Sequence, residues 1–445
     1  MALNKKSGGI CPIVSGFTLR RLASKCANSF AVSKRAPYFA PRQMGAGVEG
    51  GCYSAVHATR RFLGSLQPKS VIVKLDFSNV FNFLHRNSML EAVFSINPGY
   101  LPLLSFSIHP LLWFDEDVIW SEEGPQQGDS LGSLLFCLTV QPLLNSLQSL
   151  LVAVFTGDFT LGGPEDVVDQ DIFVVTSTGT SLGLHLNVAM CELVHPQGSA
   201  IKFAVLGSFK SIALDEATLL GAPLLPSKNL DTALDMCCSN LSKAISYLSH
   251  IEAHDALVLL RSCFCAPKIQ HILRCTPCHG HPALTTFDNL LKSGLMVVTN
   301  CNLSDVQWLQ TSLPVRDGGL GIRRAAPLAL SAFLASAAGT LDLQNEILVN
   351  VVVSMDTHVA DYEVDWSILH SMLLPAFSAS AKQAVWTLQP SWQTRPLFRA
   401  ATVAATTRQG FQLFLHHTAT IGFTHFRSLP AAYVWIMRPS ESQLV

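Results

Sequence analysis

The first 225 positions mix short runs of strand formers with stretches of helical periodicity, and the rest of the chain is almost wholly helical in pattern. Val71-Ile-Val-Lys-Leu-Asp76 is a β-forming run that closes on an acid, which predicts a buried strand. A helix is expected from Cys52 to Leu66, carrying Arg60 and Arg61, and another over Ser88 to Phe94. Trp113 to Trp120 is strand-like. Gly124-Pro-Gln-Gln-Gly128 is a loop leading into a long apolar helix, about Leu131 to Leu151. Val152 to Phe155, the small turn Thr156-Gly157-Asp158 and Phe159 to Leu161 make a hairpin pattern, followed by a helix around Glu165 to Ser177. Leu184 to Leu186 and Ile201 to Leu206 are predicted as further strands. Asp231 to Cys275 should be helical with few breaks, and Pro314 to Gly321 is a loop before an Ala/Leu-rich helix ending near Ala338. The last hundred residues are helical in pattern without a distinct signal.

Composition narrows the reading. Charged residues are 14% of the 445 and the apolar set 49%, so the chain is core-rich rather than disordered. A net charge of −1 hides an asymmetry: residues 1–70 carry a net +10, residues 71–225 a net −12, and the remainder nearly cancels. A basic block ahead of an acidic one suits a polyanion-binding lobe beside a carboxylate-lined site, and argues against a uniformly basic nucleic-acid coat. Twelve cysteines without regular spacing, and no signal peptide at the start, predict reduced thiols in the nucleus or cytoplasm. The best membrane candidate, Leu134 to Phe155, holds Gln141, Pro142, Asn145, Ser146, Gln148 and Ser149, so a buried helix is expected and no membrane partner.

Three chemical features then arrive in order: an acid ending a strand (Asp76), a Gln-Gly loop before a helix (Gln127, Gly128) and an acid in a hairpin turn (Asp158). Phosphoryl transfer from a nucleoside triphosphate uses two divalent metals ~3.5–4 Å apart, held by carboxylates from adjacent strands. A strand-end Asp beside a hairpin Asp is how an antiparallel sheet supplies them.

At these positions the sequence resembles the reverse transcriptase of non-LTR (LINE-type) retrotransposons, over about residues 2–340. The matching stretches are Leu3-Asn-Lys-Lys-Ser-Gly-Gly-Ile10, Thr18-Leu-Arg-Arg-Leu-Ala23, Lys74-Leu-Asp-Phe-Ser-Asn79, Gly124-Pro-Gln-Gln-Gly-Asp129, Thr160-Leu-Gly-Gly-Pro164, Gly183-Leu-His-Leu-Asn187, Leu219-Leu-Gly-Ala-Pro223 and Leu313-Pro-Val-Arg-Asp-Gly-Gly-Leu-Gly-Ile322. The resemblance implies an α+β right-hand polymerase: partial fingers at 1–70, a palm at 71–225, a helical thumb at 226–300 and a helical extension at 301–445. It implies Asp76 and Asp158 as catalytic metal ligands for Mg²⁺ or Mn²⁺, with the Phe77 carbonyl as a possible extra ligand. Phe81 matches the aromatic steric gate, and Gln127 and Gly128 the loop packed against incoming nucleotide and template. Arg20, Arg21, Lys5 and Lys6 match the fingers' basic contacts, and Leu219, Leu220 and Gly221 the primer grip. The implied partners are an RNA template, a DNA primer and a dNTP.

Several departures bear on activity. The third motif of the family is aromatic-x-Asp-Asp, and here it reads Phe155-Thr156-Gly157-Asp158, so the first acid is Gly157. The expected Lys is Met190, the Arg before Pro12 is Cys11, a Pro after Asp129 is Ser130, a small residue before Phe81 is Val80, and Glu49 stands where a basic or neutral residue is usual. Losing a metal ligand should cost at least the ~10²–10³ in rate of one lost electrostatic donor, so negligible polymerase activity is expected. The alternatives are a variant site, in which Asp158 with Glu165 or Asp166 rebuilds the metal cage, and a non-enzymatic RNA-binding or interaction remnant. The chain opens inside the expected fingers and lacks a Cys/His cluster after residue 345, which suits a fragment or a decayed copy.

Weaker signals resolve toward structure. Cys275-Thr-Pro-Cys278-His279-Gly-His281 has zinc-like spacing, but four donors in seven residues surround one ion poorly; a packed helix end and no zinc are expected. Cys263 and Cys265 are expected as buried helix thiols, His416 and His417 as a surface pair, and Phe17, Phe30 and Tyr38 as possible base-stacking aromatics.

Overall fold

The computed structural model describes residues 2–4, 10–12, 18–96, 98–100, 111–114, 117–120, 122–125, 128–196, 201–315, 318–352 and 356–370. The chain is mixed α+β and helix-rich, and it divides into two compact units: one runs to Leu220 and includes Thr340–Asp356, the other runs over Gly221–Gly339 and resumes at Thr357.

The first unit is built on a five-stranded sheet. A short antiparallel pair, β1 (Ala2–Asn4) and β2 (Ile10–Pro12), precedes helices α1 (Thr18–Phe39) and α2 (Gly51–Gly64). Strand β3 (Ser70–Leu75) follows, then the one-turn α3 (Val80–Phe83) and α4 (Arg86–Ile96). The strand-like stretch near Trp113 is a hairpin, β4 (Leu111–Phe114) with β5 (Asp117–Trp120). Helix α5 (Gly132–Ser146) leads to the hairpin β6 (Leu151–Phe155) and β7 (Asp158–Pro164), and helix α6 (Glu165–Ser181) follows. The sheet is completed by β8 (Glu192–Val194) and β9 (Lys210–Ile212), in the order β6-β7-β3-β8-β9. Only the β8–β9 pairing is parallel.

Strand β3 sits in the middle because both its faces are apolar through Val71, Ile72 and Val73, all buried. One face of the sheet (Val71, Val73, Leu75, Val152, Val154, Phe159, Leu161) joins Leu134, Leu138, Val168 and Ile172 from α5 and α6 in the main core. On the opposite face Phe62 of α2 lies against Gly162; a Cβ there would come within 2.8 Å of the Phe62 ring. The other end of that face carries Lys74, Asp76, Asp158 and Glu192.

Three expectations are corrected. The apolar helix expected to Leu151 stops at Ser146, because the buried Asp171 of α6 accepts from Gln148 N, Ser149 N and Ser149 Oγ, at 2.6–2.9 Å, and turns the chain into β6. The Arg42 guanidinium also donates to the Leu144 and Leu147 carbonyls at that helix end. Ile201 to Leu206 is not a strand: Ala204–Gly207 forms a helical turn, α7, and the sheet's further strands are β8 and β9. Leu186 makes a lone bridge with Phe77 rather than a strand. The acids Glu165 and Asp166 lie in the first turn of α6.

The second unit is helical. Its helices α8 (Lys228–Leu248), α9 (Ala253–Leu259), α10 (Ala266–Cys275), α11 (Pro282–Thr299), α12 (Asp305–Thr311) and α13 (Ala326–Gly339) share a core of Leu230, Leu234, Leu241, Ile269, Phe287 and Leu291. Buried Asp288 accepts from Ala325 N at 2.5 Å and Ala326 N at 3.1 Å, capping α13. In the Cys275 to His281 segment, His281 Nδ1 accepts from Ala283 N at 3.2 Å to cap α11, and its Nε2 meets Asp231 at 2.9 Å. Burial pushes the Cys278 thiol up to about 12, which keeps it protonated. Cys265 is buried as expected but Cys263 is exposed, a correction. His416 and His417 lie outside the described residues.

The chain then returns to the first unit. Helix α14 (Leu341–Ile347) packs on α2, and Asp356 makes a 2.7 Å ion pair with Arg60, both side chains nearly fully buried. Helix α15 (Thr357–His370) belongs to the second unit, where the buried Trp366 joins Leu330 and Leu334 of α13.

Candidate active site

The register of β3 against β7 ends on Leu75 opposite Phe159, which brings the next residues, Asp76 and Asp158, together at the same end of the sheet, where Asp76 acts on the Asp158 carboxyl. That end also carries Lys74, which makes a 2.5 Å ion pair with Glu192 across the β3–β8 register. Both aspartates are exposed at the strand ends. Loss of nearby water still raises the Asp158 carboxyl above its ordinary value; Lys74 lowers it and Asp76 raises it further. Asn187 anchors Asp76 twice: its backbone N–H donates to the Asp76 carbonyl at 2.8 Å, and its Nδ2 donates to Asp76 Oδ2 at 3.0 Å.

The hairpin turn that delivers Asp158 is held from outside the sheet. Gln43 is fully buried on a segment that runs beside β6 in a parallel bridge to Val154. Its Oε1 accepts from Thr156 N at 2.8 Å and Gly45 N at 3.0 Å, and its Nε2 donates to the Thr156 carbonyl at 3.1 Å. This clamp sustains a φ of 57° at Thr156, a conformation a β-branched residue rarely adopts. Gln43 has no local signal in the sequence, whereas Asn187 falls in the stretch Gly183 to Asn187 that carries the resemblance.

The residues present do not fit a two-metal centre. Among the described residues no three His, Cys, Asp or Glu side chains are grouped to hold a metal ion. One oxygen of Asp76 is engaged by Asn187, and residue 157 offers no side chain. Two carboxylates, with the Lys74 ammonium beside them already paired to Glu192, leave too few oxygen ligands to complete a cage for two ions.

The remaining expected residues are spread around this face. Phe77 is in the core, its ring 4.9 Å from Phe159 in an edge-on contact. Phe81 is half-buried, 5.1 Å from Phe136 of α5. Gly128 is exposed with φ 100°, and the next residue, Asp129, makes a 2.9 Å ion pair with Arg20 of α1. Arg20 is thereby tied to the Gly128 loop, whereas Arg21 is exposed. Leu219 is buried, and Leu220 and Gly221 have φ 49° and 79°, a tight turn between short extended segments. Met190 is exposed just after Asn187. Lys5, Lys6 and Gln127 lie outside the described residues.

No family model matches this sequence, and no curated protein matches it. Solved structures similar to it include those of telomerase. Telomerase from Candida albicans in complex with the TWJ fragment of telomeric RNA is 12% identical over 77% of this chain, with a TM-score of 0.39. The Candida tropicalis telomerase with the same kind of RNA fragment is 12% identical over 76% of this chain, TM-score 0.35. The apo Candida tropicalis telomerase is 11% identical over 89%, TM-score 0.32. This chain spans 56%, 57% and 61% of those three chains, respectively.

Proposed function

We propose that the chain is a reverse-transcriptase-like polymerase domain of the non-LTR retrotransposon type that has lost nucleotidyl transfer and still holds an RNA template with a DNA primer. The observation that carries this reading is the pair Asp76 and Asp158, brought together at one end of the sheet, with glycine at the position of the third carboxylate. A triphosphate bound there would meet no complete metal cage, so a dNTP gains no leaving-group stabilisation and chemistry stops.

Retained template binding is supported by α1. The helix has no acidic residue and exposes Arg21, Lys25 and Lys34, with the Lys34 ammonium 4.0 Å above the exposed Phe30 ring. Phosphate contacts by such residues make affinity fall with salt, by about 0.7 in log K per log salt for each single-strand contact. The test is twofold: primer extension on an RNA template in Mg²⁺ and in Mn²⁺, and RNA binding titrated from low to high salt. Expected are no extension and a slope of several units that falls in Arg21→Ala and Lys25→Ala. Extension by the unaltered chain refutes the loss of catalysis, and salt-independent or absent binding refutes the template-holding role.

A further inference from the structure

We infer that Val80 is a second, independent closure of this site: its side chain occupies the space that a carboxylate at position 157 needs, so the loss of the acid cannot be reversed at Gly157 alone. The inference rests on the reading of the site as a former polymerase centre and names what now fills it.

The backbone at Gly157 is not in the left-handed region, unlike that at Thr156, so nothing in the chain path itself demands glycine there. What excludes a side chain is a neighbour. A Cβ built on Gly157 comes within 2.9 Å of Val80 Cγ1, whereas Val80 Cβ and Cγ2 stand at 3.8 Å, an ordinary contact. The obstacle is one methyl group.

Val80 cannot easily yield. A β-branched side chain at the start of a helix has one strongly preferred χ1 rotamer. Val80 opens α3 directly after Asn79, whose φ of 44° fixes the chain's entry to that helix, and its side chain packs against the core of the first unit. The turn bearing Gly157 cannot retreat either, because Gln43 holds Thr156 by both its N–H and its carbonyl. Two rigid elements therefore meet where the missing ligand would stand, and position 80 is one of those at which this chain departs from the pattern it resembles.

The test is a cycle on the full chain, using Val80→Ala, Gly157→Ala, Gly157→Asp and the two paired combinations. The first readout is thermal stability: Gly157→Ala should lower the midpoint in the Val80 chain and lower it distinctly less when combined with Val80→Ala, the coupling expected of two residues in contact. The second is Mn²⁺ binding by electron paramagnetic resonance. Gly157→Asp with Val80→Ala should bind Mn²⁺ at least about fivefold tighter than Gly157→Asp alone, the low end of what relief of overpacking provides. Equal midpoint losses in the two backgrounds, equal Mn²⁺ affinities, or no gain in affinity from either form overturn the inference. RNA binding separates the two claims: tighter Mn²⁺ binding by the paired variant in a chain that shows no salt-dependent RNA binding refutes the template-holding polymerase reading and leaves the Val80 closure standing.

Discussion

The Gln43 clamp makes a quantitative prediction. Gln43→Met keeps the volume of a fully buried side chain and removes three hydrogen bonds, leaving Thr156 N–H, the Thr156 carbonyl and Gly45 N–H to find other partners. An intramolecular hydrogen bond contributes a net of about 0.5–1.5 kcal/mol, and a buried group left unmade costs about 1–3 kcal/mol. Thr156 and Gly45 are only half-buried, so the sum lies near the lower bounds, at about 2–4 kcal/mol. The loss falls on a turn already strained at Thr156, and should show first as local opening rather than global unfolding. Hydrogen exchange of Thr156 and Gly45 is the assay: at about 1.4 kcal/mol per factor of ten, both amides should exchange at least about 30-fold faster. Gln67→Met, at an exposed residue whose amide donates only to the Ser65 carbonyl, is the control, with less than about 0.5 kcal/mol expected. Unchanged exchange at both amides, or a stability loss below about 1 kcal/mol, would refute the claim that Gln43 holds the hairpin.

Other outcomes follow from the same geometry. Gly45→Ala should cost about 1–3 kcal/mol or more in the first unit's unfolding, since its Cβ would meet Thr156 Oγ1 at 2.3 Å and Thr156 N at 2.4 Å; a neutral result would mean the turn moves freely. Asp158 is held above the ordinary carboxylate range, so the folded chain keeps a proton that the unfolded chain releases, and stability from this group falls as pH rises through that window. Asp158→Asn should accordingly raise the melting midpoint at neutral pH, with the gain vanishing once pH drops below the ordinary carboxylate value. Asp76→Asn should move the Asp158 titration, followed by carboxyl NMR, to lower pH; an upward move would contradict their proximity. In the second unit, Asp288→Ala removes both acceptors at the start of α13 and should cost about 2–3 kcal/mol by urea unfolding, while Asp288→Asn recovers part of it.

What the sequence disclosed follows the range of the interactions involved. The strand closing on Asp76 and the hairpin ending at Asp158 were readable because β-branched runs and a Thr-Gly turn are local signals, and the observed strands are Ser70–Leu75, Leu151–Phe155 and Asp158–Pro164. The end of α5 was not readable, because an unbroken apolar run has no period to change, and the stop is imposed by Asp171 from a later helix. The third and fourth neighbours of the sheet were misjudged for a related reason. Ile201 to Leu206 has strand-like composition, yet the three-residue β8 and β9 are selected by pairing with β3 and with each other. At the site, the acids were legible and their supports were not: Gln43 lies more than a hundred residues from the turn it holds, and Val80 gave no hint of standing against Gly157.

The return of the chain at Thr340–Asp356 has a consequence for how the protein is made. The first unit is discontinuous, and its α14 and the Asp356 partner of Arg60 emerge from a ribosome only after the entire Gly221–Gly339 unit has been synthesised. The five-stranded sheet can therefore form early but cannot close over α2 until the intervening helices have had their own chance to fold. Its completion is a late, long-range event, entropically slower than any local pairing in the sheet. A fragment ending at Gly339 would strip Arg60 of that carboxylate and uncover α2, so the natural cutting point for a self-sufficient first unit lies beyond Asp356, not at the boundary the turn at Leu220 suggests.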